Sequence, residues 1–83
     1  MKKIHEHIAK TDKLFEVAKS KLNTEMAYSG NELVYYEIRD TLHSVERKSV
    51  RFERIRNRLS IKYNRKDSAR MKRIYKFLKK ISV

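Results

Sequence analysis

Ile4, Ile8, Phe15, Ala18 and Leu22 recur at helical spacing with Leu14 at their flank, predicting a first helix over about residues 3–23. Thr11 falls inside that stripe and weakens it. The next boundary is Ser29-Gly30-Asn31-Glu32: glycine can take positive φ, and Ser29 with Glu32 matches a capping box that satisfies orphan backbone N–H groups. A second helix is expected to begin there.

The length of that helix decides the architecture. At 100° per residue Val34, Ile38, Leu42, Val45, Phe52, Leu59 and Tyr63 fall within a sector roughly 80–100° wide, with Ile55 at its edge. A break resets this phase, so one helix over about residues 31–63 is the preferred expectation, roughly 45–50 Å long. Ser49 and Arg56 interrupt the stripe and leave a kink or short break near Lys48-Ser49 as the alternative. Met71, Ile74, Tyr75, Leu78 and Ile81 trace a third stripe, predicting a helix over about residues 68–81 with its N-cap at Asp67 or Ser68. Lys79 and Lys80 lie in its last turn, where cations meet the negative end of the helix dipole.

The fold class is therefore all-α with three helices. Either the flanking helices fold back on a long central one, each along one half, or a small three- or four-helix bundle forms if the central helix breaks near Ser49. A chain of 83 residues makes a single domain with a thin core, and self-association as a homodimer would supplement the burial.

Composition narrows the chemistry. One glycine and no proline argue against β-hairpins, and the absence of cysteine removes a disulfide framework, a thiolate nucleophile and cysteine-based zinc sites. No apolar run is long enough for a transmembrane segment or for the core of a signal peptide, so the expected location is cytoplasmic. His5 and His7 point about 200° apart on a helix and make a poor chelating pair. His43 stands beside Ser44 without a recognisable oxyanion-donor loop, so the expectation is no enzyme, no metal and no cofactor. Tyr28, Tyr35 and Tyr36 lie near the acidic half without local basic support, which favours packing or a protein interface over base stacking.

Charge changes the picture most. The net charge is +12, yet residues 1–46 hold seven Lys/Arg against eight Asp/Glu, and residues 47–83 hold fifteen against two. The first part is expected to pack or dimerise and the second to meet a polyanion. Arg47, Arg51, Arg54, Arg58, Lys62 and Arg65 occupy a sector about 80° wide opposite the Phe52 and Leu59 side, a basic ridge suited to rows of phosphates. Lys72, Arg73, Lys76, Lys79 and Lys80 form a second basic surface. A helix-turn-helix arrangement would have Ser68, Arg70 and Arg73 probe a major groove.

The leading expectation is a non-enzymatic nucleic-acid-binding protein of accessory or regulatory role, binding duplex DNA in preference to RNA. Its contacts are expected from Arg47, Arg51, Arg54, Arg58, Lys62, Arg65, Arg70, Lys72, Arg73 and Lys76. The alternative is a protein-binding inhibitor or immunity-type helical bundle engaging an acidic protein or an anionic membrane surface. Small size and a Lys/Arg/Ile/Tyr-rich composition would suit a virus or another mobile element.

Overall fold

In the computed structural model, which describes residues 2–82, the chain forms α1 (Lys2–Ala27), α2 (Glu32–Ile61) and α3 (Arg65–Ser82). Burial and side-chain contacts are described for residues 5–82, so the expected packing of Ile4 lies outside the described residues. α2 runs unbroken through Lys48-Ser49, and the helices nonetheless make a three-helix bundle. The two interrupting residues face α1, which supplies part of their polar surroundings. Arg56 donates to Asp12 Oδ2 at 3.0 Å and lies 3.5 Å from Glu53, while Ser49 borders a shallow depression with Ala9, Asp12 and Lys13.

The helix ends differ from the predicted ones for local reasons. Asn31, not Ser29, caps α2: its backbone is extended and its Oδ1 accepts from Leu33 N at 2.8 Å. Ser29 instead closes the end of α1, donating its hydroxyl to Met26 O at 2.9 Å, and α1 runs to Ala27. At the second turn Lys62 takes an extended backbone and ends α2 ahead of Tyr63. Asn64 Oδ1 accepts from Lys66 N at 2.8 Å, so α3 starts at Arg65 and Asp67 lies in its first turn instead of capping it.

Gly30 does not have positive φ, and a Cβ placed there meets nothing within 4 Å, so the turn does not depend on glycine. Gly30→Ala is therefore expected to raise stability by about 0.4–1 kcal/mol, by narrowing the unfolded ensemble without straining the folded one. Chemical denaturation of the two proteins side by side checks the sign.

α1 and α3 both run antiparallel to α2; α1 follows it along most of its length and α3 lies beside α1 against its C-terminal half, so the two do not divide α2 between them. Phe15 meets Phe52 at 5.2 Å between ring centroids, His7 meets Tyr75 at 5.1 Å, and Lys21 Nζ donates to Ile81 O at 2.8 Å. The core is Phe15, Ala18 and Leu22 from α1, Leu42, Val45, Phe52, Ile55 and Leu59 from α2, and Met71, Ile74 and Leu78 from α3. Ile55, expected at the edge of its stripe, is fully buried because α3 packs on that side. Thr11 is fully buried too, and its hydroxyl donates to His7 O at 2.8 Å, which satisfies it within its own helix. The rod measures 46 × 17 × 15 Å.

His7 is half-buried and its Nε2 has no hydrogen-bond partner among the described residues. Burial, followed by the charges of Lys72 and Lys10, holds its pKa below 6.5. The unfolded chain therefore takes up the proton first. This contribution to stability is full above about pH 6.5 and is lost as the pH falls through the lowered folded value. Thermal melts from pH 8 to 5 are expected to show a decline that His7→Gln makes shallower. Equal slopes for the two proteins would contradict it.

Candidate nucleic-acid interface

α2 and α3 meet along an edge that carries cations on both sides. On α2, Lys48, Arg51, Arg54 and Arg58 follow one another three or four residues apart, a spacing that keeps them along one side of a helix. On α3, Arg70 and Arg73 stand on the edge opposite them. These six cations line a groove of about 570 Å³, to which Ile74 adds an apolar surface. Only a bundle in which α3 returns along α2 produces this concavity. Phe52, Ile55, Met71 and Ile74 belong to the core that the two helices share with α1.

One acid moderates the cluster. The Asp67 side chain is 5% exposed, accepts from Arg58 Nη2 at 3.0 Å and lies 3.8 Å from Arg70 Nη1. It ties one guanidinium from each wall to a common anchor, with other N–H groups of both still available for a ligand. Six cations against one carboxylate leave the groove a net charge of +5. Lys48 Nζ lies 4.7 Å from the centroid of the Phe77 ring, which steadies the inner end of the row.

The expected ridge is thus divided. Arg51, Arg54 and Arg58 enter the groove and are joined by Arg70 and Arg73. Arg47 turns to another side, donating to Ser44 at 3.5 Å beside Asp40, His43 and Glu46. Lys62 and Arg65 are exposed at the turn between α2 and α3, and Lys72 and Lys76 are exposed on α3 without lining the groove. Of the second basic surface, Arg73 belongs to the groove and Lys79 lies 5.5 Å from the centroid of the Tyr75 ring.

The helix-turn-helix arrangement fails on one of its probes. Ser68 is buried in the bundle, while Arg70 and Arg73 line the groove between helices. Lys48 is the groove residue that sequence reasoning missed, since it falls outside the sector of the other arginines. Only knowing which edge α3 packs against adds it to the cluster.

Among the described residues no group of three or more His, Cys, Asp or Glu side chains is placed to hold a metal ion. No helix among them is long and apolar enough to cross a membrane. Comparison with protein-family models, curated proteins and solved structures finds no match to this chain.

Proposed function

We propose that this protein binds nucleic acid without catalysing a reaction on it, gripping a sugar-phosphate backbone in the groove between α2 and α3 in an accessory or regulatory role. The observation that carries this reading is the convergence of Lys48, Arg51, Arg54, Arg58, Arg70 and Arg73 from two helices on one concave surface. Repeated phosphates are the ligand for which such a row is suited, because each contact releases condensed counterions. Arginine supplies five of the six cations, and its planar fork fits phosphate oxygens in pairs. One backbone of duplex DNA entering the groove meets cations on both walls. Among the described residues no aromatic side chain lines the groove, which favours contact with the backbone over stacking on bases.

The test is a titration of labelled duplex DNA with the full chain at several salt concentrations. With about five phosphates neutralised, log K is expected to fall against log salt with a slope of about −4 to −5. No binding at low salt would overturn the proposal. Material purified from cells gives an independent outcome: nuclease-removable nucleic acid supports it, and a stoichiometric acidic protein in its place argues for a different ligand.

A further inference from the structure

The opposite end of the rod has the reverse character. Past the end of α3, the end of α1 and the start of α2 continue as a two-helix hairpin, and its surface is apolar and acidic. The first turn of α2 reads Leu33-Val34-Tyr35-Tyr36. Four consecutive residues point to all sides of a helix, so no rotation of α2 buries them all against α1. Leu33 is 75% exposed and Tyr28, just past the end of α1, is 86% exposed, while Val34, Tyr35 and Tyr36 each expose about two-fifths or more of their surface. The Tyr35 and Tyr36 rings meet edge to face at 5.6 Å, and the Arg39 guanidinium covers one side of Tyr36 at 4.7 Å. Glu25, Glu32, Glu37 and Asp40 are exposed around this patch. Residues 23–41 hold those four acids against Arg39 alone, a net charge of −3 in a chain of +12.

We infer that this tip docks a protein partner through a cationic amphipathic segment, an apolar stripe flanked by lysine or arginine. A helix turn that is apolar on every side is ordinarily buried, so its exposure calls for a cover. The exposed parts of Tyr28, Leu33, Val34, Tyr35 and Tyr36 offer on the order of 500 Å² per side, which places the contact among small, transient interfaces. Tyrosine is enriched at such interfaces, where it gives contact area at low entropic cost. Charge decides the occupant. A two-fold contact between copies would oppose −3 with −3, whereas a basic segment complements the acidic rim. The inference does not depend on the groove at the other end, and the two surfaces together would make the protein an adaptor between nucleic acid and that partner.

The probe is a labelled 18-residue helical peptide with a leucine stripe and a lysine face, titrated against the full chain. Net charge alone repels it, so binding needs a locally acidic and apolar surface. It is expected to bind, to weaken at least tenfold with Leu33→Ser/Tyr36→Ser or with Glu32→Lys/Glu37→Lys, and not to weaken with Arg51→Glu/Arg54→Glu. The substituted side chains are all exposed, and circular dichroism checks that each variant folds. Failure of the peptide to bind, or binding that ignores the tip substitutions, would overturn the inference. So would a sedimenting dimer of the protein alone that dissociates with Leu33→Ser/Tyr36→Ser, since a second copy would then be the occupant.

Discussion

The triple variant Arg51→Glu/Arg54→Glu/Arg73→Glu is expected to retain the helical fold and to bind duplex DNA about a thousandfold more weakly at low salt, at roughly tenfold per reversed cation. These three line the groove from both walls, and none belongs to the ion pairs made by Asp67. Their reversal therefore changes the ligand surface and leaves the anchoring of Arg58 and Arg70 in place. The salt slope is expected to fall to about −2, because fewer cations remain to displace counterions. Arg47→Glu/Lys62→Glu changes the net charge by four units at positions outside the groove. If the groove is the contact surface, this variant keeps most of the affinity and the slope. Losses in proportion to the charge change, six units against four, would mean that net charge, not the groove, governs binding. Anisotropy titrations at three salt concentrations, with circular dichroism of each variant, make the comparison.

Phe52→Ala is expected to have the largest effect on the fold. Phe52 is 2% exposed, packs on Phe15 and belongs to the core beneath the groove. Truncating a buried phenylalanine costs about 3–5 kcal/mol, a large share of the roughly 4–12 kcal/mol available to a chain this short. The melting temperature is expected to fall by about 15–30 °C. Because the groove exists only while α2 and α3 are packed, DNA binding by Phe52→Ala should be lost together with the helical signal on warming. Val34→Ala, at the exposed tip, serves as the contrast and should leave the melt nearly unchanged. A small shift for Phe52→Ala would mean that the bundle does not depend on this core.

Apolar phase over thirty residues predicted a continuous α2, and continuity holds although Ser49 and Arg56 break the stripe. Glu53 of α2 supplies one partner of Arg56, and α1 supplies the other, Asp12, and the depression that Ser49 borders, which no reading of α2 alone can give. The stripes of α1 and α3 likewise identified Phe15, Ala18, Leu22, Met71, Ile74 and Leu78 as core residues. Caps were harder to place, because Ser29, Asn31, Asn64 and Asp67 are all residue types that favour such positions. Which of them caps depends on where the neighbouring helix stops and on which side chain is drawn into the bundle, as Asp67 is by Arg58.

The candidate site was legible as chemistry but not as shape. Arg51, Arg54, Arg58, Arg70 and Arg73 were all identifiable as cations on helix surfaces. A helical wheel treats each helix as an isolated rod, so it joined Arg47 and Lys62 to the ridge and left Lys48 out. The groove arises because α3 packs antiparallel along one side of α2, and that choice depends on how three apolar stripes fit together. Its anchor, Asp67, looked like a cap because its position in sequence gave no sign that it would be buried beside two arginines.

Backbone amide NMR of the full chain, titrated with a short DNA duplex, tests the central claim most directly. The expected result is a contiguous set of chemical-shift changes from Lys48 to Arg58 and from Asp67 to Ile74, with residues 28–40 unmoved. Changes confined to the Tyr28–Tyr36 tip, or none at all at low salt, would contradict it.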